Sequence, residues 1–172
     1  MSWRANRVGF TLIEALAVVA IIALLVGLLF PAIHLVRESA QRRLAQQRAQ
    51  AIVQAFKQYR SAYGMWPDQS NGSADITFSN NAPVLAALTN NPRGMVFFQD
   101  NELPVANDGF LDPWNRLYVI AVDWNGDGRA DMTNSAPDGS FATNVNDTVA
   151  VLSWGPPDTT NVEQRVYSWD RK

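Results

Sequence analysis

The stretch Arg7-Val-Gly-Phe-Thr-Leu-Ile-Glu-Ala-Leu-Ala-Val-Val19 sets one acid, Glu14, at the head of a segment that carries no further charge until His34 and Arg37. From Phe10 to Ile33 the chain is apolar apart from Thr11, Glu14 and glycine. About 24 residues at ~1.5 Å each make a helix long enough to cross ~30 Å of hydrocarbon. An unpaired carboxylate at that depth costs about 2.5–3.5 kcal/mol on insertion scales, so Glu14 needs a compensating partner. Residues 1–9 hold Arg4 and Arg7 and no acid. This basic flank predicts a cytoplasmic N-terminus, with the bulk of the chain on the other side of the membrane. The apolar run closes on Leu28-Leu29-Phe30-Pro31, a poor match to the small-x-small site of a secretory signal. Hydropathy alone reads as a plain signal anchor.

The chain has 172 residues, enough for one membrane-proximal helix and one small globular domain. Fourteen basic and sixteen acidic side chains leave a charge near −2, which argues against a nucleic-acid surface. Cysteine is absent, so neither a disulfide, a thiolate metal site nor a thiol nucleophile is open to it. No Gly-x-Ser-x-Gly or phosphate-binding glycine loop occurs, and there is one histidine, so an enzyme is not expected.

Past the apolar run the pattern stays helical to Tyr63. Leu35, Ser39, Leu44, Ile52, Phe56, Tyr59 and Tyr63 fall near one stripe, and Arg37, Arg42, Arg43, Arg48, Lys57 and Arg60 fill much of the rest. Gly64 offers a C-terminal stop. Pro31 is the weak point: it cannot donate to the carbonyl of Gly27 and crowds it, which predicts a kink and local unwinding over 24–31 on assembly. Residues 64–110 read as an irregular connector with a short helix over Ala82–Asn90. Strands are expected at Leu117–Val122, Val149–Ser153 and Gln164–Trp169. The architecture these elements predict is α+β, a long N-terminal helix packed on a small antiparallel sheet as a roll.

One loop has the chemistry of a cation site. Asp123-Trp-Asn-Gly-Asp-Gly-Arg-Ala-Asp131 spaces hard oxygen donors as D-x-N-x-D-G-x-x-D. Asp123, Asn125, Asp127 and Asp131, with the carbonyl of Arg129, could converge on Ca²⁺ where Gly128 permits a sharp bend. The spacing resembles the calcium loops of EF-hand-like modules. Asn134 stands where such a loop carries its closing glutamate, which lowers the affinity expected. The flanks Val119–Val122 and Ala130–Thr133 suggest a hairpin, and a polar Asn-Gly and Asp-Gly turn without metal reads the same sequence.

Gly9-Phe10-Thr11-Leu12-Ile13-Glu14, with a basic leader before it and an apolar helix after it, resembles the class III signal of type IV pilins and type II secretion pseudopilins. Tyr59–Pro67 is similar to the helix end of major pseudopilins. Asp112-Pro-Trp-Asn-Arg-Leu-Tyr118 is similar to their DPW-G-x-x-Y segment, and Ser153-Trp-Gly-Pro156 and Ser168-Trp-Asp170 to their last strands. The resemblance implies a pilin-like roll divided into a leader (1–9), an assembly helix (10–33), its amphipathic continuation (34–64) and a head (65–172). It implies cleavage between Gly9 and Phe10 by a prepilin peptidase and N-methylation of Phe10. It also implies that Glu14 meets the Phe10 ammonium of a neighbouring subunit, the alternative being its own amine, and that Pro31 serves assembly. Loss of the leader leaves 12 basic and 16 acidic side chains.

The function so implied is a structural filament subunit of type II secretion, anchored by one pass in a bacterial inner membrane with its head periplasmic or extracytoplasmic. Its expected partners are like and unlike pseudopilins, the peptidase and methyltransferase, the inner-membrane secretion platform and lipid. A minor type IV pilin for adhesion or DNA uptake, and a plain membrane-anchored binding domain, are the alternatives. Major pseudopilins bind calcium before their last strand, where this chain keeps only Asp158 and Glu163.

Overall fold

The computed structural model describes residues 10–67, 74–97, 105–106, 109–136, 139–157 and 164–169. The side chains of residues 30–32, 105–106, 134–136 and 139–141 are outside that description. The chain divides into two compact units, Met1–Ala40 and Gln41–Lys172.

The first unit is the apolar beginning of α1, the helix Leu12–Tyr63. Among the described residues its large apolar side chains, from Phe10 through Leu16, Ile21 and Leu25 to Val36, are exposed. The helix continues through Gly27 and Pro31, although Pro31 has no N–H to give the Gly27 carbonyl. It shows no unwinding over 24–31, the change the sequence tied to assembly.

In the second unit the rest of α1 lies on one face of an antiparallel sheet ordered β1-β4-β7-β8: Ile76–Phe78, Val119–Val122, Val149–Ser153 and Val166–Tyr167. The central pair is β4 and β7, with Val119 opposite Leu152 and Val122 opposite Val149. Every residue of both strands is buried. Ile120, Val122, Val149 and Val151 meet the helix residues Ala49, Ile52, Val53, Phe56 and Tyr59. On the opposite face Val119, Ala121, Ala150 and Leu152 meet Ala130, Met132 and Val145, flanked by Trp154, Tyr167 and Trp169. Those three residues belong to a separate hairpin, β5 (Ala130–Ala136) with β6 (Gly139–Val145). The sheet is thus covered on both sides, which is why its two central strands are nearly continuous runs of apolar residues instead of alternating.

The architecture is α+β as expected, with three differences in detail. The buried stripe of α1 is made by Ala45, Ala49, Ile52, Val53, Ala55, Phe56 and Tyr59. Leu35 and Leu44, placed on it by spacing, are 70% and 39% exposed. Small alanines let the helix backbone approach the sheet closely enough for the Tyr118 hydroxyl to donate to the Ala45 carbonyl at 3.0 Å. Second, Val119–Val122 and Ala130–Thr133 do not form a hairpin with each other. β4 is already paired on both edges, with β1 and β7, so the chain leaves that sheet and β5 pairs with β6. Third, the connector contains β1 and a small ladder of β2 (Val105–Ala106) with β3 (Gly109–Phe110).

The helix ends as its sequence predicts. Gly64 takes a left-handed φ of 75° that a side chain would strain, and its N–H closes on the Arg60 carbonyl at 2.8 Å. The second helix, α2 (Ala82–Thr89), follows Asn81. The buried Asn81 side chain does not cap α2; it accepts from Phe110 N–H and donates to the Tyr118 carbonyl, both at 2.7 Å, pinning β3 beside β4.

Candidate functional site: a capped helix start and a carboxylate loop

Thr11 and Glu14 form a reciprocal cap at the start of α1. The Thr11 backbone N–H donates to Glu14 Oε2 at 2.8 Å, and the Thr11 hydroxyl donates to the same oxygen at 2.7 Å. The Glu14 N–H reaches back to Thr11 Oγ1 at 3.3 Å. A threonine followed three residues later by glutamate is the signature of this motif, which satisfies donors that a helix start leaves open. The acid that the sequence left without a partner therefore has one inside its own chain. In the uncut chain the Phe10 nitrogen is an amide without charge and offers Glu14 no cation. Phe10 is exposed. Gly9 lies outside the described residues, as does the side chain of Pro31. The T-x-x-E pattern at Thr11–Glu14 marks this cap in the sequence itself, beyond the acid alone.

The second feature is the loop joining β4 to β5. Asp123, 1% exposed, accepts from Gly126 N–H at 2.6 Å on Oδ1 and from Gly128 N–H at 3.0 Å on Oδ2. These bonds curl the chain back on itself, with Gly126 and Gly128 at φ 80° and 86°. Asn125 Oδ1 accepts from Asp127 N–H at 2.8 Å, and Asp127 Oδ1 from Arg129 N–H at 2.9 Å, two successive side-chain turns. The Trp66 indole donates to the Asp123 carbonyl at 2.7 Å, tying the loop to the segment after α1.

Asp75, just before β1, completes the loop. Its Oδ1 accepts from Trp124 and Asn125 N–H at 3.0 and 3.2 Å, and its Oδ2 from Asp131 N–H at 2.8 Å. One carboxylate oxygen from each of Asp75, Asp123 and Asp127 lies within 4.8 Å of the others. Of the ligand set read from the sequence, the structure brings together Asp123 and Asp127. Asp131 is turned away, its Oδ1 holding Asn144 Nδ2 at 2.6 Å, and Asn125 Oδ1 is used within the loop. Asp75 takes the place given to Asp131. No spacing rule could find it, since it stands 48 residues before Asp123. Asp158 and Glu163 lie outside the described residues.

A carboxylate has about four acceptor positions. The hydrogen bonds above occupy three on Asp75 and two on Asp123. On Asp127 they occupy two, with Asn125 Nδ2 on Oδ2 at 3.3 Å. Acceptor capacity remains on all three, and the donors are hard oxygens, so the residues fit a calcium-type ion.

The segment Asp112–Tyr118 is structural. Buried Asp112 accepts from Trp114 and Arg116 N–H at 2.9 and 2.8 Å on Oδ1, and from the Ser153 hydroxyl at 2.7 Å on Oδ2. Burial pushes its carboxyl above the usual range, and the bonds from Ser153, Arg116 and Trp114, with the nearby Arg116 charge, pull it part of the way back. Asn115, where the similar family segment has glycine, holds φ 60°, a conformation asparagine tolerates.

Comparison with known proteins agrees with the resemblance drawn from the N-terminal signal. The prokaryotic N-terminal methylation motif matches residues 4–30. The chain is 29% identical over 147 residues to the type II secretion system core protein G of Escherichia coli (strain K12), across 86% of this chain and 90% of that protein. No solved structure gives a significant match.

Proposed function

We infer that the chain is a pseudopilus subunit of type II secretion, made as a prepilin and built into a filament through its apolar helix. The observation that carries this reading is the methylation motif over residues 4–30, running into a helix whose apolar side chains are exposed. The similarity over most of the chain to a core protein of a type II secretion system supports it. An exposed apolar face of that length needs lipid or other copies of itself to cover it. Head-to-tail contacts, which join two different patches of like subunits, build open helical assemblies when the rotation does not close.

Processing supplies the charge chemistry. Cutting Gly9–Phe10 turns the Phe10 amide nitrogen into an amine about one helical turn from Glu14. Its methylated ammonium is the natural cation for the Glu14 carboxylate of the next subunit, since two charges that are costly alone in lipid become tolerable as a pair. The role is structural, without a reaction of its own. Its partners are copies of itself and related pseudopilins, the peptidase and methyltransferase, the inner-membrane platform and the bilayer. The N-terminus faces the cytoplasm and the head the other side. The Asp75, Asp123 and Asp127 carboxylates are the seat proposed for a structural Ca²⁺.

Mass spectrometry of the chain recovered from its own membranes tests the reading. The expected N-terminal peptide begins at N-methylated Phe10. A chain that retains Met1 or an unmodified leader overturns it.

A further inference from the structure

We propose that the outer edge of β6 is an interface at which two copies of this chain pair strand to strand. The two edges of the β5–β6 hairpin differ. On β5, Asp131 N–H donates to Asp75 Oδ2 at 2.8 Å and Thr133 N–H to Thr77 Oγ1 at 3.1 Å, and the Asp131 carbonyl accepts from the Thr77 hydroxyl at 3.4 Å. Asp131 and Thr133 therefore turn their main-chain groups away from β6. Their partners in register are Asn144 and Ala142. In an antiparallel ladder the two members of such a pair face opposite ways, so Ala142 and Asn144 turn their main-chain groups away from β5. The backbone of Ser140, two residues from Ala142, does likewise. Among the described residues no group bonds the N–H or carbonyl of Ala142 or Asn144, and both residues are exposed. One edge of the hairpin is closed by Asp75 and Thr77, and the other is open.

The occupant is a second copy of the chain. Proteins that avoid edge pairing place lysine, another charge or proline on an open strand. Gly139–Val145 contains none of these. The edge is also its own complement. A two-fold axis beside Ala142 sets that residue opposite its counterpart and Ser140 opposite Asn144, and the three outward residues then exchange about six main-chain hydrogen bonds. No like charges meet along that seam. Elsewhere they do, because residues 65–172 carry fourteen acidic and six basic side chains, and two such heads repel where their acids approach. A basic partner would be drawn to those acids and would gain nothing from a strand without charge. The inner face of the hairpin is already packed through Met132 and Val145, so the edge can receive a strand with the head folded as it is. Two copies suffice for this contact, so the inference rests neither on processing nor on filament assembly.

The chain has no cysteine, so a single one introduced on the hairpin reports without background. The full chain is extracted from its membranes in detergent micelles and oxidised with copper phenanthroline. Ala142→Cys is expected to cross-link to itself, because residues paired in this way lie about 5.5 Å apart between Cα atoms, within the span of a disulfide. Thr133→Cys, one strand further from the axis in each copy, should give about a fifth of that dimer or less. Amide hydrogen exchange is the second readout. In the wild-type chain the Asn144 amide should slow about tenfold or more as protein concentration rises, and Ala142→Pro, which removes only an outward donor, should leave it fast at every concentration. Equal cross-linking at positions 142 and 133 overturns the proposal. So does an Asn144 amide whose exchange is independent of concentration, whether fast, which leaves the edge in solvent, or slow, which means the chain covers its own edge.

Discussion

Asp112 shows how one buried side chain can link two distant segments. It receives three hydrogen bonds in a buried position, and burial still holds its carboxyl above the usual range. Its folded-state pKa is therefore higher than its unfolded one, so the folded chain binds the proton more tightly. The stability it contributes is complete below the unfolded value near 3.8 and declines as pH rises through the raised folded value. Urea titrations from pH 4 upward should show that decline, and Asp112→Asn should flatten it at a cost under about 1 kcal/mol. Asp112→Ala strands three donors and should cost about 2–3 kcal/mol at every pH. The sequence showed Asp112 only as the start of a familiar turn. That its partner is Ser153 depends on the sheet and could not be read locally. At the helix start Thr11→Ala should raise the exchange rate of the Glu14 amide about fivefold in micelles, from loss of a cap worth ~1 kcal/mol, while Thr11→Ser leaves it near the wild-type rate.

Among the elements, α1 was the most legible, because an apolar run, a helical stripe and Gly64 all agree on its extent. The stripe itself was misjudged where bulk was taken as a sign of burial. Ala45, Ala49 and Ala55 are fully buried, and their size sets the distance between helix and sheet. Ala49→Leu should accordingly destabilise the head by about 1–3 kcal/mol, measured by chemical denaturation, because the helix cannot move off without breaking the Tyr118–Ala45 bond. Phe56→Ala, which leaves a cavity, should cost about 3–5 kcal/mol. β7 was found at its observed limits, since Val149–Leu152 is an unmixed apolar run that Ser153 closes. The run in β4, Val-Ile-Ala-Val, carried the further message that both faces of the sheet are covered, and so that something besides α1 lies over it. That second cover, β5 with β6, is rich in Asn, Ser and Thr and has little apolar signal of its own. β2 and β3 are two residues each, below what any pattern can mark.

For the whole molecule, sequence sufficed for the class of fold, while the carboxylate loop needed three dimensions. Of the motif's carboxylates the structure groups Asp123 and Asp127, and Asp75, from just before β1, joins them. The two ligand sets make different predictions. If calcium occupies the loop through Asp75, Asp123 and Asp127, millimolar Ca²⁺ should raise the melting temperature of the mature chain and a chelator should reverse it. Asp75→Asn should abolish the rise, and Asp131→Asn should retain it. At a free concentration 100 times the dissociation constant the gain is about 2.7 kcal/mol. A rise kept by both variants would mean that calcium does not depend on Asp75 and that its carboxylate serves only to accept the loop's N–H groups.

The cap at Thr11 changes the accounting for whatever positive group approaches Glu14 from outside. That carboxylate is not waiting empty; it already holds two donors, and a newcomer must displace or share them. The net gain from docking is then a difference between two occupied states, smaller than the full attraction of opposite charges in oil. A contact of that kind can fix alignment firmly and still let go.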